Sequence, residues 1–294
     1  MVAEQYYGVT AGSTHTMQSV TKSVTSLLTG IAFDEGHLSS LDAPVLSFFP
    51  EYSDLANVDA EKRALSLRHL LTMRTSMSFY ENPYPGSPLQ QLNDCRGCDW
   101  LHLILDRPMT GTPGTTWQYN SGAPIVVGGI LFAATGMPAD EYARQKLFTP
   151  LGISNWSWYK GNPNGLPHLG GGLDLRTSDL ARIGYLVLRR GSWAGKQIVP
   201  RAWIDSSTRR VTTSTERYFP RNTDYGMYWW LFPRNNQPGS ASGDDYIIAA
   251  SGSGGQWLFI DPRLDLIVVF TAALGSSSWS GVQIFFDELL PAIR

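Results

Sequence analysis

Met17-Gln18-Ser19-Val20-Thr21-Lys22-Ser23-Val24-Thr25-Ser26-Leu27-Leu28-Thr29-Gly30-Ile31 is the stretch on which the reading of this chain turns. Its apolar residues Val20, Val24, Leu27, Leu28 and Ile31 recur at helical spacing, so an amphipathic helix is expected to begin near Gln18, with Gly30 and Gly36 loosening its far end. Ser19 and Lys22 stand three residues apart at that start, which puts a hydroxyl and an amine on one helix face. A serine hydroxyl is a weak nucleophile without a base, and Lys22 becomes such a base if burial lowers its pKa. The helix start also offers free backbone N–H groups to a developing oxyanion. On spacing alone a plain arrangement competes, in which Lys22 extends to solvent and Ser19 only caps the helix. The same spacing recurs at Ser157-Trp158-Tyr159-Lys160, in an aromatic, strand-like segment with no helix to orient it.

Outward from this stretch, charge is scarce. Lys22 is the only formal charge between Glu4 and Asp34, and residues 108 to 139, 246 to 260 and 266 to 286 carry none. Over 294 residues the charged fraction is 16%, against roughly 25% in an average soluble chain, and the net charge is −2. A basic nucleic-acid footprint is therefore absent. The uncharged windows are broken by Pro, Gly, Asn, Gln or Ser, and none holds the about 18 consecutive apolar residues of a membrane span, so they read as buried segments. The 43% hydrophobic content, with 10 Trp, 13 Tyr, 12 Phe, 29 Gly and 18 Pro, fits one large domain, or one with a sizeable insert, rich in tight loops. No basic stretch followed by an apolar one opens the chain, so no signal peptide is visible, and neither compartment nor oligomeric state has a marker.

Helical spacing continues at about 66 to 73, 99 to 107, 122 to 134, 139 to 148, 178 to 190, 200 to 207 and 281 to 292. Strand patterns occupy residues 2 to 9, then Tyr225 to Phe232, Tyr246 to Ala250, Gln256 to Ile260 and Leu264 to Thr271. Asp261-Pro262-Arg263 joins the last two tightly enough to make them antiparallel neighbours. The expected fold is α/β in the α+β sense: an antiparallel sheet flanked by helices. Both chain ends, residues 1–36 and 166–294, build this sheet lobe, residues 37–165 form an inserted, mainly helical lobe, and a cleft between the lobes is the place for a site.

Several chemistries lack their signals. No Gly-x-Ser-x-Gly elbow exists, and the histidines at 15, 37, 69, 102 and 168 form no His-x-x-x-His pair. Gly191 to Lys196 is too short for a phosphate loop and is followed by Gln197. Cys95-Arg96-Gly97-Cys98 has no second cysteine pair for zinc, which leaves a loop with two thiols or one small disulfide.

Around the opening stretch further segments become familiar: Glu35-Gly36-His37-Leu38, Leu41-Asp42-Ala43-Pro44, Leu67 to Thr72, Pro113-Gly114, Trp117-Gln118-Tyr119-Asn120-Ser121, Gly170 to Asp174, Ser251 to Gln256 and Asp261-Pro262. In this order, over nearly the whole chain, they resemble the penicillin-recognising serine hydrolase superfamily. Its members include class C β-lactamases, DD-peptidases, family VIII carboxylesterases and 6-aminohexanoate-oligomer hydrolases. The resemblance implies a β-lactamase/transpeptidase-like fold, with Ser19 as nucleophile and Lys22 as its base. The superfamily's Tyr-x-Asn motif begins at Tyr119, whose phenol would share proton transfer with Lys22. Its third position is Ser121 here, with Asn at 120, which leaves open which side chain holds the substrate carbonyl or positions Lys22.

The third motif, usually Lys-Thr-Gly, His-x-Gly or Trp-Gly-Gly, reads Ser253-Gly254-Gly255, without a charged or aromatic first residue. That change weighs against recognition of a β-lactam carboxylate. The resemblance puts a second oxyanion donor on the backbone of Gln256, opposite that of Ser19. His168-Leu169-Gly170 also fits His-x-Gly but lies too early in the chain, and Gly170 to Gly172 are expected to line the pocket. The implied activity is hydrolysis of a small-molecule ester or amide through an acyl-enzyme on Ser19, with no metal and no cofactor. A β-lactamase or DD-peptidase is the next reading, and a silent binding module on the same fold is the rival class. Tyr80, Tyr84, Trp117, Trp156, Trp158, Trp229 and Trp230 suggest a roomy apolar pocket. Relatives place a helix and a further strand before the serine motif, so the fold is expected to be shortened at its N-terminus.

Overall fold

In the computed structural model, residues 3–214, 218–275 and 280–293 are described. Helix α1 (Val20–Asp34) runs through the middle of the molecule, with every residue from Val20 to Ala32 buried. It is therefore not amphipathic, as the spacing of its apolar residues predicts, but enclosed on all sides. Its polar residues meet this by bonding to backbone: Thr25 and Thr29 donate to Thr21 O and Thr25 O at 3.1 and 2.9 Å, and Ser23 donates to Tyr228 O at 2.7 Å.

The chain enters α1 from β1 (Thr14–Thr16), the edge of a three-stranded antiparallel sheet ordered β1-β3-β2, in which β2 is Trp156–Trp158 and β3 is Leu173–Arg176. Met17 N donates to Leu173 O at 2.7 Å, so the residues just before Ser19 are tied to this sheet. Helices α2 (Ala60–Ala64), α3 (Leu67–Leu71), α4 (Pro88–Asp94), α5 (Trp100–Leu105), α6 (Gly122–Thr135) and α7 (Ala139–Ala143) fill the middle of the chain. Within this helical stretch α6 is the hub, packing on α1, α3 and α5. Gly129 allows the closest approach, since a Cβ there would stand 2.8 Å from Leu101 and 2.9 Å from Phe49.

After α8 (Thr177–Leu188), the hairpin β4 (Ser192–Trp193) and β5 (Lys196–Gln197), and α9 (Arg201–Ser207), the main sheet is laid down in chain order. It runs β6 (Thr212–Thr213), β7 (Asp224–Tyr225), β8 (Trp230–Pro233), β9 (Tyr246–Gly252), β10 (Gln256–Asp261) and β11 (Leu266–Phe270), each antiparallel to the next. Alternation along β10 separates its two faces. Leu258 lies against Gly184 of α8, whereas Trp257 and Phe259 face the closing helical segment, which begins with α10 (Ser280–Gln283) and continues through Ile284–Leu289. Phe259 stacks on Phe285 there at 4.3 Å. The fold is mixed α/β, with antiparallel sheets and helices. No single helix among the described residues is long and apolar enough to cross a membrane.

Two expectations need correction. Residues 3–9 form no strand: Tyr7 is 80% exposed, Gly8 has φ 68° and Ser13 N turns back to Thr10 O, so the first pairing waits for Thr14. Residue 2 of that expected strand lies outside the described residues. The single strand expected over Tyr225 to Phe232 is two, because Tyr228 takes φ 64° and Gly226 N bonds Trp229 O at 2.9 Å, folding β7 and β8 into a hairpin. Within residues 37–165, β2 joins the small sheet. Among the described residues β11 pairs only with β10, and its residues are half-buried. The Cys95–Cys98 pair is a disulfide in the loop between α4 and α5.

Candidate active site

Ser19 sits at the N-cap of α1, half-buried, on a turn that the chain reaches through a constrained residue. Gln18 has φ 46°, an uncommon backbone conformation for a residue with a Cβ. Two glycines from other elements press against that turn. A Cβ on Gly252, at the end of β9, would stand 2.3 Å from Met17 O, and one on Gly171 would stand 3.6 Å from the Gln18 backbone. Since Gln256 is the register partner of Gly252, the β9–β10 turn lies beside Ser19.

Lys22, one helical turn on, is 1% exposed and has three hydrogen-bond partners: Ser19 Oγ at 2.7 Å, Gly170 O at 2.7 Å and Ser121 Oγ at 3.0 Å. None is a carboxylate. Burial pushes its ammonium down to about 8, opposed in part by the Glu81 carboxylate. A neutral amine has one lone pair and two N–H groups. As an ammonium Lys22 donates to all three oxygens; once neutral it keeps two N–H groups for Gly170 O and Ser121 Oγ and turns a lone pair to the Ser19 hydroxyl.

Tyr119 closes the cluster from the loop before α6. Its phenol hydrogen-bonds Ser19, and its ring lies 4.9 Å from Lys22 Nζ. Burial raises its pKa most, with the Glu81 charge adding and the Ser19 bond opposing. At any ordinary pH it is therefore a neutral phenol, able to pass a proton but not to act as phenolate. Trp230 stacks on its ring at 5.5 Å, and Trp117, Tyr218 and Tyr225 surround it.

The two residues after Tyr119 face opposite ways. Ser121 meets Lys22, whereas Asn120, fully buried, accepts from Ala123 N at 2.7 Å and donates to Thr75 at 3.2 Å. Asn120 thus secures the start of α6, and Ser121 is the one of the pair that touches the amine. In the turn between β9 and β10, Gly254 and Gly255 have φ 84° and 95°, and Ser253 is exposed. The Gln256 side chain turns away and clamps Ala272, accepting from its N at 3.2 Å and donating to its O. The lookalike Ser157 and Lys160 are engaged elsewhere, with Asp174 and Asp140. Of the aromatic residues expected near the cleft, Trp156 and Trp158 pack on Phe148 instead.

The Gly170 carbonyl was not foreseen as a contact of Lys22. A backbone oxygen carries no side-chain signature, and only the crowding at Gly170 marks it: a Cβ there would stand 2.8 Å from Ser121 O. The imidazole of His168 lies beside it, pushed down to about 4 by burial and then by the Lys22 charge.

Among known proteins, a 6-aminohexanoate-dimer hydrolase from Paenarthrobacter ureafaciens is 25% identical over 303 residues, covering 96% of this chain and 73% of that relative. A Bacillus anthracis protein provisionally named a 6-aminohexanoate-dimer hydrolase has a solved structure that superposes with TM-score 0.77 at 19% identity, covering 99% of this chain and 74% of that one. A class C β-lactamase variant superposes with TM-score 0.71 at 16% identity over 96% of this chain and 84% of that one. These likenesses place the fold among β-lactamase/transpeptidase-like structures. The family model described as Beta-lactamase matches residues 1–282, and on that extent the chain belongs to the beta-lactamase family, whose fold is that of serine hydrolases.

Proposed function

We propose that the protein hydrolyses an ester or small amide through an acyl-enzyme on Ser19. The observation that carries this reading is the 2.7 Å approach of a buried, weakly basic Lys22 to the Ser19 hydroxyl. In acylation the Lys22 lone pair takes the Ser19 proton as Oγ bonds to the substrate carbonyl carbon, and the carbonyl π pair moves onto oxygen. Backbone N–H groups of Ser19 and Gln256 receive that oxyanion. Collapse breaks the bond to the leaving group, which takes a proton from Tyr119 while Lys22 reprotonates the phenol. Water then adds to the acyl carbon, giving its proton to the same pair, and collapse returns the proton to Ser19. Ser121 and Gly170 O hold Lys22 throughout; Ser253, Gly254 and Gly255 edge the substrate channel, and Asn120 acts only by anchoring α6. The site lies in a cleft between a sheet lobe, residues 1–36 and 166–294, and a helical lobe, residues 37–165.

The third motif supplies Ser253 where a cation would bind a lactam or peptide carboxylate, which favours a substrate without a carboxylate at that place. The relative named for 6-aminohexanoate dimer supports an amide as the bond cleaved. The test is intact-mass spectrometry with a fluorophosphonate probe, followed by turnover of p-nitrophenyl butyrate, the linear 6-aminohexanoate dimer and a chromogenic cephalosporin. One adduct is expected on the wild type and none on Ser19→Ala, with ester or amide turnover above that of the cephalosporin. A wild type that takes no adduct is a binding module; cephalosporin turnover far above the others makes the enzyme a β-lactamase.

A further inference from the structure

Two residues before the carbonyl that holds Lys22, His168 carries an imidazole that the proposed chemistry leaves unused. It is 9% exposed, and among the described residues neither ring nitrogen has a hydrogen-bond partner. The indole N–H of Trp100, whose ring meets the imidazole edge-on at 5.2 Å, lacks a partner as well. So does Asn162 Nδ2, in the loop that His168 N closes on Tyr159 O at 2.8 Å. Unpaired buried groups of this kind are strongly disfavoured, and an internal water that bonds two or more of them is the usual remedy.

The ring also bears on the turn that holds Lys22. His168 O accepts from Gly172 N at 2.9 Å and from Trp158 Nε1 at 3.0 Å, which fixes both ends of the turn around Gly170. A Cβ on Gly170 would stand 3.1 Å from His168 Cε1 and 3.2 Å from Ser121 Cβ, so the imidazole is wedged behind the backbone that presents the Gly170 carbonyl. We propose that His168 is a positioning residue for Lys22: as a neutral imidazole it shares an internal water with the Trp100 indole, and ring and water together brace the turn whose Gly170 carbonyl fixes the amine. Burial first, and then the nearby Lys22 charge, keep the imidazole neutral across the working range.

This inference rests on the reading of Lys22 as the base for Ser19, so Ser19→Ala is run beside the test and must abolish ester turnover. His168→Phe keeps a ring of similar size without its nitrogens. It is expected to lower kcat/KM about tenfold, the rate equivalent of one hydrogen bond, with KM little changed. Losing the water and imidazole leaves Lys22 more desolvated, so the acid limb of the pH profile also moves to lower pH. His168→Asn, which can still donate and accept, is expected to stay within about threefold of wild type. An unchanged rate and limb in His168→Phe overturns the proposal, as do equal losses in Phe and Asn with an unmoved limb, since these would mean packing alone. Ser19→Ala with wild-type turnover would instead sink the reading beneath it.

Discussion

Lys22 holds its amine among two hydroxyls and a carbonyl, and at that residue chemistry and stability pull in opposite directions. Held down to about 8, only about a tenth of it is neutral at pH 7. The kcat/KM for an ester is therefore expected to rise about tenfold from pH 7 and level off above pH 8 to 9. Lys22→Met fills similar space with no base, and should cut kcat/KM by about a thousandfold while the melting temperature holds or increases. A flat profile between pH 6 and 9, or a Met variant that unfolds while the wild type stays folded, would contradict this. Ser19 and Lys22 were legible in the sequence as a pair through their spacing and helix context, and Tyr119 only through the family resemblance. The roles of Ser121 and Asn120 were not, since adjacent residues at a helix start face different ways and only coordinates say which meets the amine.

At the scale of elements, α1 is gripped at both ends by glycine contacts that differ in function. Gly30, far from Ser19, would place a Cβ 2.3 Å from the Trp203 ring of α9, while Gly252 of β9 would place one 2.3 Å from Met17 O beside Ser19. Overpacking either position costs about 1–3 kcal/mol. Gly30→Ala should therefore lower stability with kcat/KM nearly intact, because α9 can shift without moving Ser19. Gly252→Ala should lower kcat/KM more than a hundredfold, since about 1 Å of misplacement at a reacting group has that effect. Urea melts and ester kinetics on both variants separate the cases; equal kinetic losses would mean that α1 moves as one rigid piece. Helix spacing located α1 and α6 but made α1 amphipathic. A helix whose threonines bond to its own backbone, and whose Ser23 bonds to that of a neighbouring segment, can be buried on every side, and hydrophobic periodicity does not register this. The β7–β8 hairpin was missed for a related reason: its turn rests on a Tyr at φ 64°, not on the Gly or Asn that marks such turns in a sequence.

Across the whole molecule, the scarcity of charge becomes a statement about pH. Few ions are present, and several that are buried sit far from their ordinary pKa values. Lys22 and Lys62 are both held down to about 8 by burial, Lys62 among the carbonyls of Leu105 and Arg107 at the end of α5. A lysine with a lowered folded pKa binds fewer protons when folded than when unfolded, so stability rises with pH from about 8 to about 10.5. For the fully buried Lys22 the swing is roughly 3 kcal/mol. Buried phenols act in the other direction. Tyr119, Tyr225 and Tyr228 are raised by burial, so above their ordinary value near 10.0 the unfolded chain loses protons that the fold retains, and stability falls. His168, held down to about 4, adds a loss of stability as pH drops below its ordinary 6.5. The melting temperature should therefore change little from about pH 6.5 to 8, climb from pH 8 to a maximum near pH 9 to 10 and drop beyond it, rather than peak around neutrality as for an average protein. Scanning fluorimetry from pH 5 to 11 checks the shape, and Lys22→Met should flatten the climb above pH 8. A maximum at or below pH 7.5, unchanged by Lys22→Met, would mean that the buried lysines do not govern the stability of this fold.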